Sequence, residues 1–193
     1  MVHAIEAYTS KFQKNMLSDT LAREALKLLS QNIRRVVEDG NDRDARMSML
    51  LGSLLAGMAF TNSPCAAVHA LAYPIGSHFH VPHGLSNSLM LPHVLRFNRE
   101  HAAAAEMYKE LTPLVFPTLS AVQGTDVNVM ADGFYQLALD LQIPTRLPEV
   151  GIQSKDLHLL ATQAMKVDRL MPNNPREVKF EDALELYSQA YNC

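Results

Sequence analysis

The sequence is poor in cysteine and in charged residues. Only two of its 193 residues are cysteines, and Cys65 and Cys193 lie far apart in the chain. This usage excludes a disulfide framework and favours a reducing compartment, so we expect a cytoplasmic protein. Charged residues make up 19% and hydrophobic residues 48% of the chain, which is typical of a globular protein and not of a disordered one.

Positive charge and long apolar runs are also scarce. Lysine and arginine number 17 against 20 aspartates and glutamates, which gives a formal net charge of -3. This balance argues against a surface that follows nucleic-acid phosphates. No apolar run approaches the roughly 20 residues that a membrane span needs. The first residues, MVHAIEAYTSKFQ, lack the basic region and apolar stretch of a signal peptide. We therefore expect no nucleic-acid partner, membrane span or signal peptide.

Strand patterns are missing too. Alternation of apolar and polar residues is nowhere sustained, and no pair of β-branched runs flanks a hairpin turn. No glycine-rich turn joins a strand pattern to a helix pattern, so the chain carries no phosphate cradle for a dinucleotide. These absences exclude a β or α/β fold.

Helical periodicity is present in nearly every segment. It predicts one all-α domain over residues 1–193, a bundle of about eight or nine helices. The predicted helical segments are 18–40, 41–60, 64–76, 84–98, 101–111, 126–142, 154–167 and 180–191.

Two of these segments carry further signals. Ser18 is a suitable N-cap for the first, and Gly40 ends it. In the second, Leu50 and Leu54 share a face with small residues such as Gly52. We expect that face to form part of the core, where a neighbouring helix can approach closely.

Histidines are concentrated in one region. Five of the eight lie between residues 69 and 93, and four of those lie within HALAYPIGSHFHVPHG at 69–84. His69 lies on a predicted helix and His83 at the start of the next, so a short turn can bring them together. A single helix histidine is usually a partly exposed side chain, and clustering alone leaves that alternative open.

The surrounding sequence is more specific. HALAYPIGSHFHVPHGLSNSLMLPHVLRFN resembles the signature of the iron-containing alcohol dehydrogenases, which carry H-x3-H-P-x-G, then P-H-G, then L-L-P-H-V. HAIEAYTS, DARMSMLLGSLLAGMAFTN, LDLQIPTRLPEVGI and NNPREV also agree, in order along the whole chain. The resemblance implies the helical carboxy-terminal domain of that family, with its dehydroquinate synthase-like fold.

The resemblance also implies a metal site. In the family one aspartate and three histidines hold a divalent ion, usually Fe(II), and the histidines match His3, His69 and His83. Imidazole also suits zinc. The ion acts as a Lewis acid while an alcohol is oxidised reversibly to an aldehyde or ketone, with hydride passing to NAD or NADP.

Two departures from the family pattern affect these expectations. The aspartate would fall two positions before Met1, and the α/β half that binds NAD(P) has no counterpart here. We therefore expect this chain to bind divalent metal weakly or not at all and to show no turnover alone. Tyr73 replaces a histidine that is common in the family. It is a candidate second-sphere catalytic residue, although a hydroxyl with a pKa near 10 is a poor proton shuttle at neutral pH. The alternative is a packed tyrosine.

The remaining expectations concern nearby side chains and partners. His78 and His80 line the substrate mouth or face solvent, and His93 is structural or contacts a ligand residue. An apolar face that the family's other half would cover is expected around His69, Pro74, Phe79 and Val81, and it favours self-association.

Competing functions are a non-catalytic helical metal-binding or scaffold protein, a glycerol dehydrogenase or maleylacetate reductase relative, and a helical phosphohydrolase. The last needs an adjacent His-Asp pair, which the sequence lacks.

Overall fold

The computed structural model describes residues 1–192, and within that range the regular elements are all helical. The all-α prediction is confirmed. The ten α-helices are α1 (Val2–Thr9), α2 (Met16–Glu38), α3 (Arg43–Asn62), α4 (Ala67–Phe79), α5 (His83–Asn98), α6 (Ala102–Val115), α7 (Pro117–Gln123), α8 (Val127–Asp140), α9 (Leu157–Ala164) and α10 (Phe180–Asn192). Short 3-10 turns lie at Leu147–Val150, Ser154–Asp156 and Met171–Asn173.

The count exceeds the predicted eight or nine because two short helices give weak sequence signals. Helix α1 has eight residues and no side-chain cap. Helix α7 has seven residues, begins at Pro117 and lies in a segment rich in proline and glycine. Proline is well tolerated in a first helical turn, so such a segment does not exclude a helix.

The start of α2 differs from the prediction. Asn15, not Ser18, is the N-cap, and its side chain accepts a hydrogen bond from the Ser18 backbone N–H at 3.0 Å. The Ser18 hydroxyl in turn interacts with the Asn15 backbone N–H at 3.2 Å. Ser18 therefore forms the second half of a capping box, one turn inside the helix.

Helices α2 and α3 form an antiparallel pair whose contact is made by small residues. The buried residues of α3 are Ala45, Gly52, Ala56 and Ala59. A methyl group added at Gly52 would lie 2.8 Å from Leu29 Cγ, so the absence of a side chain lets the helices approach. The prediction that Leu50 and Leu54 belong to the core is wrong, because their side chains are 74% and 59% exposed.

The interior is built on α4 and α5. Eight of the thirteen residues of α4 and ten of the sixteen of α5 are buried, as expected for helices that are apolar on most sides. Helices α8, α9 and α10 pack around them. The Tyr187 hydroxyl of α10 donates to the Leu71 carbonyl of α4 at 2.6 Å, which ties the last helix to the centre.

The apolar surface lies elsewhere than predicted. His69, Pro74 and Val81 are buried and Phe79 is half-buried, because the turn after α4 folds back onto α5. Five of the exposed large side chains instead form a row on α3, which we call the α3 apolar row. Its members are Met47, Leu50, Leu51, Leu54 and Met58.

No single helix in the described part of the chain is long and apolar enough to cross a membrane. Helices α3 and α4 have the length and apolar composition of a membrane span only when they are taken together, and the angle between them is 110°.

Candidate metal centre

Three helices bring the predicted ligands to one place. His3 lies in the first turn of α1, His69 in the first turn of α4, and His83 is the first residue of α5. Between α4 and α5, His80 adopts a left-handed conformation with φ of 56°. This residue ends α4 abruptly, so that α5 begins close to the preceding helix.

The three imidazole rings converge. Ring centroids are 4.4 Å apart for His3 and His69, 5.2 Å for His69 and His83, and 5.7 Å for His3 and His83. One ring nitrogen from each lies within 4.8 Å of the other two. The arrangement offers three nitrogen donors to one ion, with further coordination positions left for other ligands.

Glu6 fixes the orientation of His69. Its Oε2 accepts a very short hydrogen bond from His69 Nδ1, and its Oε1 accepts one from the Val68 backbone N–H at 2.7 Å. A ligand histidine commonly donates its other ring nitrogen to a carboxylate in this way. Because Nδ1 carries the proton, the lone pair of His69 lies on Nε2.

His69 Nε2 is the observation that shows whether the residues fit a metal. This atom is buried and has no hydrogen-bond partner. Such an orphaned buried acceptor is costly unless something outside the protein satisfies it. His69 belongs to the same group of three histidines as His3 and His83, and Nε2 is its ring nitrogen without a partner, so a divalent cation fits the site.

Electrostatics keep the donors neutral. Burial, which disfavours the charged imidazolium, lowers the pKa of His3 to about 4. Burial also lowers the pKa of His83. Near neutral pH both rings are unprotonated, which is the form that binds metal.

Three contacts at this site were missed by the sequence analysis. Phe60 stacks on His3 with centroids 4.6 Å apart, and the Asn87 amide nitrogen lies 3.3 Å from both ring nitrogens of His83. Asn87 follows His83 by four residues and Glu6 follows His3 by three, so helical spacing was the available signal for both. Phe60 comes from another helix, and no sequence pattern indicates its contact.

Tyr73 lies beside the cluster, one helical turn after His69. Its ring centroid is 6.4 Å from that of His69 and 6.2 Å from that of His83. It also lines a cleft of about 530 Å³ that His83 borders. This position allows its hydroxyl to contact a molecule in the cleft.

The other histidines are separate from the three-nitrogen group. His78 is exposed and lines the same cleft, and His80 is exposed in the turn. His93 is buried in α5, where burial and the charge of Arg96 lower its pKa to about 4.

A second group of potential ligands, Glu6, Cys65 and His69, lies behind the first. Burial and the charge of Glu6 raise the pKa of the Cys65 thiol far above its usual value. The thiol therefore remains protonated, whereas metals bind the thiolate. This group supports His69 and does not form a second centre.

Known proteins match the whole of the described helical domain. The family model described as "Fe-containing alcohol dehydrogenase family, C-terminal" matches residues 1–191. The 1,3-propanediol dehydrogenase of Klebsiella pneumoniae is 33% identical over 99% of this chain and 49% of that protein. The lactaldehyde reductase of Escherichia coli strain K12 is 32% identical over the same shares.

Structural comparison gives the same result. A crystal structure of 1,3-propanediol oxidoreductase superposes with a TM-score of 0.90 at 32% identity, covering 98% of this chain and 49% of that one. The chain thus spans about half the length of the relatives it matches. It belongs to the Fe-containing alcohol dehydrogenase family, of which it represents the C-terminal domain.

Proposed function

We propose that this chain is the metal-binding half of an NAD- or NADP-dependent alcohol dehydrogenase that interconverts a small alcohol and its aldehyde or ketone. The convergence of three imidazoles beside the orphaned Nε2 of His69 carries the proposal. The matched relatives include dehydrogenases and a reductase, which supports the reaction class.

The proposed ligands are His3, His69 and His83, with Fe(II) as the natural ion and zinc as an alternative. When bound, the ion would supply Lewis-acid polarisation of the alcohol or carbonyl oxygen. The chain's own residues prepare that step. Glu6 holds His69 in one orientation, and Phe60 packs against the His3 ring.

Tyr73 is proposed to orient the substrate. It is half-buried at the border of the cleft, close to His69 and His83, so its hydroxyl can donate to a polar atom of a bound alcohol. A phenol retains its proton at neutral pH, which suits hydrogen bonding better than proton transfer. We expect Tyr73→Phe to change KM more than kcat in the assembled enzyme.

The isolated chain is proposed to bind metal weakly and to have no dehydrogenase activity. Three imidazoles form the described donor group, and the nearby Glu6 carboxylate is already engaged by His69. Calorimetric titration with zinc checks this directly, and a tight stoichiometric site would contradict it. We propose that the NAD or NADP that accepts the hydride is held outside this chain.

A fusion protein tests the function. We would join the amino-terminal half of the Klebsiella pneumoniae relative to this chain, load it with Fe(II) or zinc, and follow NADH absorbance with 1,3-propanediol. Turnover that is lost in His83→Ala but kept in His80→Ala is expected, because only His83 belongs to the nitrogen group. A folded, metal-loaded fusion without hydride transfer would contradict the proposal and favour a non-catalytic metal-binding protein.

Partners and location are proposed on composition and surface. A cytoplasmic protein without a nucleic-acid partner agrees with two cysteines and a net charge of -3. We also propose self-association through the α3 apolar row, since contiguous exposed apolar surface of this kind marks interaction sites. The glycerol dehydrogenase and maleylacetate reductase relatives stay as alternatives for the substrate.

A further inference from the structure

The cleft beside His83 has an unusual composition for this acidic chain. It lies between the end of α4 and the segment that includes the end of α9. Its lining residues are Ala72, Tyr73, Pro74, Gly76, Ser77, His78, Val81, His83, Gln163, Lys166 and Val167. The set contains one permanent cation and no carboxylate, although the chain as a whole carries more acidic than basic residues.

Two cations, one in the lining of this cleft and one over the ring of Tyr73, have no acidic partner among the described residues. Lys166 lines it directly, and the Arg169 guanidinium lies 5.9 Å from the centroid of the Tyr73 ring. Within residues 1–192, neither side chain forms an ion pair or donates a side-chain hydrogen bond. Most other arginines of the chain are paired, for example Arg96 with Asp132 and Arg146 with Glu149.

The acidic residue nearest in sequence to Lys166 and Arg169 lines another surface. Asp168 lies between the two cations in the chain but lines a different cleft, together with Lys11 and Glu177. It is therefore not among the groups that face Lys166 in the cleft. Both cationic side chains are exposed to solvent and are therefore accessible to an anionic ligand.

We propose that this cleft binds a small substrate that carries an oxyanion at the end away from its reacting oxygen. Lys166 and Arg169 receive the oxyanion, since both side chains are donors that pair with carboxylate and phosphate. The side chains of Ala72, Val81 and Val167 provide apolar contact for a short carbon chain. His83 also lines the cleft, so a reacting oxygen that binds beside His83 lies next to the group of three histidines. The inference rests on the proposed function and names its substrate class.

Binding of simple probes tests the inference without catalysis. Butyrate, its neutral isostere butyramide, and inorganic phosphate are titrated into the metal-free chain, and amide NMR shifts of the cleft residues are followed. We expect butyrate to bind about fivefold more tightly than butyramide, which is the upper end of what an exposed ion pair provides. A tighter response to phosphate than to butyrate would assign the oxyanion to a phosphoryl group.

Variants identify the residues responsible. Lys166→Gln and Arg169→Gln should each reduce the preference for butyrate about twofold to fivefold, and together abolish it. The exposed Lys155→Gln serves as the matched control and should bind like wild type. Equal binding of butyrate and butyramide, or an unchanged preference in the double variant, would overturn the inference.

A second titration distinguishes a wrong substrate class from a failure of the proposed function. A parallel zinc titration follows the ring protons of His3, His69 and His83. If zinc shifts these signals while butyrate shows no preference over butyramide, only the substrate class is wrong. If butyrate is preferred but zinc does not shift the ring signals of the three histidines even at concentrations that fill a weak site, the dehydrogenase proposal fails instead.

Discussion

At the scale of single residues, the orientation of His69 decides whether the site can accept a cation. Its Nδ1 donates to Glu6, and its Nε2 is buried without a partner. The same carboxylate also accepts the Val68 backbone N–H, which fixes the start of α4 against α1. One acidic side chain thus links the fold to the chemistry of the centre.

Replacing Glu6 tests this link. Glu6→Gln removes the negative charge of the carboxylate that fixes the tautomer of His69. The zinc concentration at half-saturation should therefore rise about 10- to 100-fold. The exposed Glu110→Gln is the control and should bind zinc like wild type. The role assigned to Glu6 fails if Glu6→Gln folds normally, as judged by circular dichroism, and keeps wild-type zinc binding.

His93 should make folding stability depend on pH. Burial lowers its folded pKa to about 4, whereas the unfolded value is near 6.5. A depressed histidine pKa contributes stability that is complete above 6.5 and is lost as the pH falls from 6.5 towards 4. We would measure the free energy of unfolding in urea at pH 7.5 and at pH 5. Between these two pH values it should fall by about 1–2 kcal/mol less in His93→Gln than in wild type.

The exposed His158→Gln is the comparison for this measurement. It should follow the wild-type curve, because its side chain is exposed in α9. Parallel curves for wild type and His93→Gln would contradict the assignment of a buried, neutral His93.

The three histidines could be selected from the sequence, and their role as metal ligands stays a prediction, but the long-range contacts around them could not be selected in this way. His3, His69 and His83 follow from the family resemblance, and the structure places them together. Phe60 stacks on His3 from a position distant in the chain, and only the packing of α3 on α1 brings the two rings together. Such contacts depend on three-dimensional packing and leave no local periodicity in the sequence.

At the scale of helices, close approach of α2 and α3 depends on a residue without a side chain. The sequence indicated small residues on α3 but placed Leu50 and Leu54 beside them in the core. Both lie on the opposite, exposed face. A prediction from hydrophobicity alone could not separate the buried face of α3 from its exposed face, because both faces carry apolar residues.

A pair of glycine substitutions on α3 separates packing from helix propensity. Gly57→Ala should stabilise the protein by about 0.5–1 kcal/mol, since nothing lies within 4 Å of the added methyl group. Gly52→Ala should destabilise it by about 1 kcal/mol, because its methyl group would press on Leu29. Thermal unfolding of both variants measures the difference. A stabilised Gly52→Ala would contradict the described α2–α3 contact.

At the scale of the whole molecule, residues 1–192 form one helical core with an apolar row exposed on α3. The all-α architecture was predictable from periodicity. The location of the exposed apolar surface was not predictable. Pro74 and Val81 are buried near the turn after α4, whereas one apolar face of α3 is exposed.

Self-association through the α3 apolar row is testable by sedimentation. Wild type should form dimers or larger species as its concentration rises, while the double variant Leu50→Glu and Leu54→Glu should remain monomeric. Both side chains are more than half exposed, so their replacement should leave the fold intact. A wild type that stays monomeric at high concentration would contradict this proposal.

The central claim is that His3, His69 and His83 share one cation. The most direct measurement is anomalous diffraction from crystals of this chain soaked in zinc at concentrations high enough to fill a weak site. The account predicts a zinc peak about 2 Å from His69 Nε2 and from one ring nitrogen each of His3 and His83. Zinc bound only at exposed histidines such as His78 or His80, with no density among the three rings, would contradict it.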